Sequence, residues 1–328
     1  MEELTNALSK HFDIGNKISI SKIDAGFLSE NYLVESRDKK FFLKGYVKGI
    51  ERVHDIHKVK SYFASHGIPV ILPLETRSGE TLFVFGSKVF ALFPFATGIH
   101  HNRQSIPDKV TVEIAALLAR MHHIATDFPM TISATFKYWD RKKLDLANEL
   151  IVKIDSIPEK TEFDIRAKRN IELKKTVILK EDIPIDTYKL EQPILLHGDF
   201  HELNIFFDEL DRIKYVFDFG ETKMGPRGFE LWRSTDYMFF DGKFTDENIR
   251  KAVLYLKTYN SLNPISKEEL SNAFQVYYLM NIHSFWVESE HYLKENTRVD
   301  RFLEVRSTSY FVEHKEELLQ RILDEVYK

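Results

Sequence analysis

The sequence predicts an α+β protein of two lobes, a small antiparallel sheet followed by a larger, mainly helical part. Three observations carry that expectation. Up to Phe93 the chain is dominated by short runs of alternating or apolar residues separated by turn residues. After Pro94-Phe95-Ala96-Thr97-Gly98, long segments with apolar residues at helical spacing take over. Late in the chain one passage, Pro193 to Gly220, returns to short apolar runs and gathers its polar residues at the turns. We therefore expect an N-terminal lobe over residues 1–93, a hinge over 94–98 and a C-terminal lobe over 99–328.

The elements follow in order. Leu4 to Phe12 reads as a short amphipathic helix that stops near Gly15. Ile18 to Ile23, Tyr32 to Glu35 and Lys40 to Tyr46 read as strands of an antiparallel meander, with turns at Gly26 and at Arg37-Asp38-Lys39. Arg52 to His66 reads as a helix stopped by Gly67 and Pro69. Val70 to Leu74 and Thr81 to Phe85 read as a hairpin, and Lys88 to Phe93 as a further strand. Pro107 to His123 is a strong helix, with Val110, Ile114, Leu117, Leu118 and Met121 on one face. Helical patterns also cover Phe136 to Ile154, Arg166 to Lys180, Glu247 to Tyr259, Lys267 to Val287 and Phe311 to Tyr327.

Composition narrows the function classes. A chain of 328 residues can bury two cores. A formal net charge of −4 offers no basic field for nucleic acid or an anionic membrane, so neither is expected as a partner. The absence of cysteine excludes disulfides, thiolate metal sites and cysteine nucleophiles. No apolar run is long enough to span a bilayer, and the start of the chain lacks the pattern of a signal peptide. The expected location is the cytoplasm.

The chemistry concentrates in His197-Gly198-Asp199-Phe200-His201-Glu202-Leu203-Asn204 and in Asp218-Phe219-Gly220. Two carboxylates and a carboxamide at the mouths of neighbouring strands can hold a hard cation and orient a hydroxyl. Phosphoryl transfer needs both, together with cations that shield phosphate charge. Lys44, on the third strand, is a candidate for that shielding, and equally a solvated edge residue. The turn at Gly26 could cover phosphates with its backbone N–H groups or be an ordinary hairpin. His54 and His57 share a helix face, but no third ligand stands at a matching spacing. A rival reading places a metal-dependent hydrolase site on His197, Asp199, His201 and Asp218; it leaves Asn204 and Lys44 without a role.

The run from His197 to Asn204 resembles the HGDxHxxN catalytic loop of the aminoglycoside phosphotransferase and choline kinase superfamily, small-molecule relatives of the protein kinases. Asp218-Phe219-Gly220 resembles the metal-binding motif of that superfamily. Gly26 to Tyr32, with Ser29, is similar to its nucleotide-covering loop and following strand, and Phe42-Leu43-Lys44 to its phosphate-binding lysine strand. Phe93-Pro94-Phe95 falls at the hinge, where the resemblance implies that backbone groups would meet the adenine. Gly225-Pro226 with Glu230-Leu231 is similar to the segment after the metal-binding Asp.

The resemblance implies a protein-kinase-like fold and a kinase using ATP, or GTP, with Mg²⁺. The N-terminal lobe would bind nucleotide and the C-terminal lobe would carry catalysis and the acceptor. Asp199 would be the base, Asn204 and Asp218 the Mg²⁺ ligands, Lys44 the phosphate contact, with Gly26, Ser29, Phe93 and Phe95 around the nucleotide. The family's first-lobe helix usually supplies a Glu to the strand lysine. Between Arg52 and Gly67 the only acid is Asp55.

The expected acceptor is a small molecule with a hydroxyl, of the aminoglycoside, amino alcohol or sugar class. A protein Ser/Thr kinase of the same fold is the alternative. Candidate acceptor contacts are Trp232, Asp236, Trp286 and Glu288, in aromatic and acidic segments of the helical part.

Overall fold

A computed structural model describes the chain apart from residues 1, 16, 24–28, 38, 141, 182, 185, 241, 243, 306 and 307. The chain divides into two compact units: residues 1–102, 121–135 and 197–224 form one, and residues 103–120, 136–196 and 225–328 the other.

The first unit is built on an antiparallel sheet. Its strands are β1 (Ile18–Ile23), β2 (Ser29–Ser36), β3 (Lys39–Tyr46), β4 (Phe83–Phe85) and β5 (Lys88–Pro94), in the order β1-β2-β3-β5-β4. The register sets Lys44 between Asn31 of β2 and Ala91 of β5. Alternation decides which residues enter the core, since successive side chains on a strand point to opposite faces. Val34, Phe41, Leu43, Phe83, Phe90 and Leu92 are buried and meet Leu4, Leu8 and Phe12 from helix α1 (Glu2–His11). Helix α2 (Ile50–Ser65) buries Val53, Ile56, Val59 and Phe63. Gly67, at φ +76°, ends it in the left-handed conformation that glycine adopts at low cost.

Three expected elements differ, two of them here and one among the later helices. Val70 to Leu74 is not a strand. It makes one bridge, Val70 to Val216, and Leu74 donates to the Leu92 carbonyl at 2.7 Å. The chain does turn between Thr76 and Glu80, but the hairpin does not form, because β4 pairs with β5 instead of with Val70 to Leu74. The helix expected from Phe136 begins only at Lys143, as α4 (Lys143–Asp155), after α3 (Asp108–Ala125).

The second unit is mainly helical, and with the sheet-first order this matches the expected α+β class. It holds α4, α5 (Glu162–Glu181), the short strand β6 (Ile194–Leu196), α6 (Arg227–Thr235) with a π-helical turn at Asp236–Phe240, α7 (Asp246–Leu262), α8 (Lys267–Ile282), α9 (Trp286–Lys294), α10 (Arg301–Val305) and α11 (Thr308–Val326). Lys267 to Val287 is thus two helices, broken around His283. Thr161 and Asp164 cap α5 reciprocally: the Thr161 N–H donates to Asp164 at 2.7 Å, and the Asp164 N–H to the Thr161 hydroxyl at 3.2 Å. Gly228 lets α6 close on α8, because a Cβ there would stand 2.6 Å from that of Ala273.

Leu8 is fully buried where α1 meets the sheet. Leu8→Ala should lower the unfolding free energy by about 2–5 kcal/mol, as expected for a leucine truncated in a closed core. Urea denaturation followed by tryptophan fluorescence and circular dichroism checks it. An unchanged midpoint would show that α1 is dispensable to the sheet.

Candidate active site

The candidate residues are brought together by a hairpin. Strands β7 (Ile205–Phe207) and β8 (Ile213–Val216) pair antiparallel, with Ile205 opposite Val216. The residues just outside that pair, Asn204 and Phe217, are joined by the Phe217 N–H to the Asn204 carbonyl at 3.0 Å. Asn204 and Asp218 therefore leave the same open end of the hairpin. Further backbone bonds fix the hairpin within its unit. Ile99 and Phe207 exchange N–H and carbonyl at 2.9 and 3.0 Å, and the Val216 N–H donates to the Pro69 carbonyl at 2.8 Å.

The loop before β7 is held by its own polar groups. His197 is buried, its Nε2 donating to the Phe217 carbonyl at 3.0 Å and its Nδ1 accepting the Asp199 N–H at 3.3 Å. Both ring nitrogens are committed to backbone, so the imidazole scaffolds the loop. The hydrolase reading loses its first ligand here. Among the described residues no group of three or more His, Asp or Glu is placed to hold a metal ion. Gly198, at φ +86°, permits the turn. A Cβ there would stand 1.9 Å from the Glu221 carbonyl oxygen, so no other residue fits without moving the backbone. His201 Nδ1 accepts the Leu203 N–H at 3.3 Å, and its Nε2 lies 3.5 Å from Asp199 Oδ2.

Asn204 divides its carboxamide between two tasks. Its Nδ2 donates to the Asp199 carbonyl at 2.8 Å and to the Asp199 carboxylate at 3.3 Å. With the amide nitrogen turned to Asp199, Oδ1 has no hydrogen-bond donor among the described residues. A free carboxamide oxygen and the Asp218 carboxylate are the ligand types a hard divalent cation takes. The donor set therefore fits Mg²⁺.

Asp218 sits in the left-handed region at φ 59°, a conformation that costs on the order of 1–3 kcal/mol for a non-glycine residue. Several contacts hold it there. Lys44 Nζ bonds its Oδ1 at 2.8 Å. Lys48 bonds the Gly220 carbonyl and, at 2.7 Å, the Glu221 carboxylate. Arg52 bonds the carbonyls of Gly220, at 3.2 Å, and Thr222. A Cβ at Gly220 would come within 3.1 Å of Asp218 Oδ1. Burial alone would raise the Asp218 pKa, but the charge and hydrogen bond of Lys44 outweigh it and hold the group below the usual carboxylate range. The Asp199 charge also acts on Asp218. Lys44, Asp199, Asn204 and Asp218 are thus assembled in one unit.

Asp55 is not the partner of Lys44. It accepts from the N–H and hydroxyl of Ser133 at 2.9 and 2.8 Å. Lys48 and Arg52 escaped the sequence reading because basic residues at a helix start carry no signal of their own.

The remaining expected residues are distributed as follows. Gly26 lies outside the described residues. Ser29 opens β2 and donates to Asn31 Oδ1 at 3.1 Å. Phe93 is buried in β5, whereas Phe95 is exposed. In the second unit, Trp232 is buried, donates to the Leu270 carbonyl at 2.7 Å and packs edge-on against Phe274. Glu288 is buried and accepts from Asn170 at 2.7 Å. Asp236 is bonded by the Tyr277 hydroxyl. Trp286 is partly exposed beside Phe302.

With this geometry in hand, the chain can be compared with known proteins. Residues 19–265 match the phosphotransferase enzyme family, and the chain belongs to it. A homoserine kinase of Nitrobacter winogradskyi is 30% identical over 145 residues, covering 44% of each chain, so the match spans less than half of that relative. A homoserine kinase of Phenylobacterium zucineum is 25% identical over 279 residues, covering 82% of this chain and 78% of that one. Among solved structures, a microcompartment-associated aminopropanol kinase aligns over 98% of this chain and 99% of its own, with TM-score 0.65 and 13% identity. A spectinomycin phosphotransferase in complex with ADP and spectinomycin aligns over 99% and 97%, with TM-score 0.63 and 17% identity. These likenesses show the same fold.

Lys44→Met removes the charge and the hydrogen bond that lower the Asp218 pKa, while burial remains. Asp218 should then titrate above the ordinary carboxylate range of roughly 4 instead of below it. Carboxyl ¹³C shifts followed from pH 3 to 8 check this, and an unmoved midpoint would show that Lys44 does not set it.

Proposed function

We propose that this chain is a kinase that transfers the γ-phosphoryl group of ATP to a hydroxyl of a small amino alcohol or hydroxy amino acid. The observation that carries the reading is the assembly of Lys44, Asp199, Asn204 and Asp218 around one hairpin end. Membership of the phosphotransferase family supports it. Homoserine is the first acceptor to test, because homoserine kinases recur among the relatives, including those aligned over most of the chain.

The roles follow from the chemistry. Asp199 accepts the proton of the acceptor hydroxyl as that oxygen attacks the γ-phosphorus. The bond from phosphorus to the β–γ bridging oxygen breaks, and its electron pair leaves with ADP. His197 holds the Asp199 N–H, and Asn204 holds the Asp199 carbonyl and carboxylate, so the base is oriented before substrate arrives. Asn204 Oδ1 and Asp218 would hold Mg²⁺, which supplies neutralisation of phosphate charge. Lys44 gives the phosphates a second cation. GTP would meet the same phosphate contacts.

Asp199→Asn keeps the shape of the loop and removes the proton acceptor. Its kcat should fall by about 10²–10⁴-fold, with the Kd for ATP nearly unchanged. ADP release measured against homoserine, aminopropanol, choline and spectinomycin tests both parts. Turnover near wild type in Asp199→Asn would remove Asp199 as the base. ADP release with none of these hydroxyl acceptors would count against the acceptor class.

A further inference from the structure

Helix α2 carries a buried cation. Lys60 is 5% exposed, and its Nζ stands 4.1 Å from the centre of the Phe93 ring. No carboxylate or other hydrogen-bond acceptor among the described residues touches that amine. The charges of Lys44 and Asp218 both act on it, so it belongs to the same electrostatic site. Burial and the neighbouring Lys44 push its pKa down to about 7.

One helical turn earlier stands His57, also buried. Its Nδ1 is 2.8 Å from the Thr81 hydroxyl, while its Nε2 is buried with no partner among the described residues. Burial, followed by Lys60, His54 and Lys44, lowers the His57 pKa to about 3, so the ring stays neutral and adds no charge. It meets Phe93 edge-on at 6.1 Å.

A lysine in this position is an expensive way to fill space. A buried amine without a counter-ion is destabilising, and methionine would pack the same stem without that cost. The cation–π contact with Phe93 recovers only part of it. Among the described residues the one acid that acts on Lys60, Asp218, is already bonded to Lys44. When Asp218 is given to a metal ion, two lysines remain without a protein counter-charge. An oligophosphate supplies that charge.

We propose that Lys60 is a second phosphate-binding residue of the nucleotide site, placed beside Lys44 to receive non-bridging oxygens of a nucleoside triphosphate. The assignment rests on the kinase reading above and adds a specificity role to it. Lys60 would favour phosphate-rich nucleotides over the bare nucleoside, and would take up charge that a Lys–Glu pair cannot.

The test compares the full-length wild type with Lys60→Met and Lys60→Gln. Calorimetric titration with ATP, ADP and adenosine, each with Mg²⁺, reads the Kd, and thermal unfolding without ligand reads stability. For both variants the Kd for ATP should rise about tenfold or more and that for adenosine stay within about twofold, as for loss of one charge-assisted contact. The unliganded Lys60→Met should melt at or above the wild-type temperature. An ATP affinity unchanged in both variants, or equal losses for ATP and adenosine, would overturn the proposal and leave Lys60 as a packing residue. Wild-type protein that binds no ATP would overturn the kinase reading itself, and this inference with it.

Discussion

The ion pair between Lys44 and Asp218 ties the sheet to the hairpin that carries the candidate catalytic groups. Each partner is positioned by a different device. Lys44 is set by strand register, between β2 and β5. Asp218 is set by the end of β8, by a left-handed backbone and by the carbonyl contacts of Lys48 and Arg52. With side chains 16% and 42% exposed, the pair is screened and adds little to stability by itself, about 0–1 kcal/mol. Its sign is nonetheless fixed. The folded pKa of Asp218 is lowered, so its stabilisation is present above the ordinary carboxylate pKa and lost as the pH falls through the folded value. What the pair contributes is position. It holds a carboxylate and an amine at bonding distance in a strained turn, where a metal ion and phosphates could take their places.

Much of this was legible in the residues, because the signals were local. Alternating or apolar short runs gave β1, β2, β3 and β5, and longer helical patterns gave α2, α3, α5, α7 and α11. The cluster from His197 to Asn204 marked the loop that gathers the candidate groups, and in the structure its histidines bond backbone. What escaped was decided by partners distant in sequence. Val70 to Leu74 has the composition of a strand, yet β5 takes β4 on that side and leaves the segment one bridge. Lys267 to Val287 keeps its apolar content through the break at His283, so composition hid the end of one helix and the start of another. The partner of Lys44 was sought on α2 because the resemblance implies an acid on the first-lobe helix. It lies on a residue far along the chain, and Asp55 goes to Ser133. In the sequence Lys60 carries no signal that sets it apart from Lys58 on the same helix. Only its burial distinguishes it.

The acids and aromatics of the helical unit show how poorly composition predicts acceptor recognition. Glu288 is bonded to Asn170, Asp164 to Tyr292 and Thr161, and Glu269 to Arg227. These carboxylates are buried and internally paired, so counting them as an acidic surface for a polycation overstates the field that a ligand would meet. The family match ends at residue 265, before α8, α9 and α11 begin. The groups read here as those of phosphoryl transfer all lie within the matched region, and α8, α9 and α11 lie beyond it. If acceptor choice resides in those helices, it would be written in exposed groups such as Trp286, and not in the buried charge that dominates the sequence there.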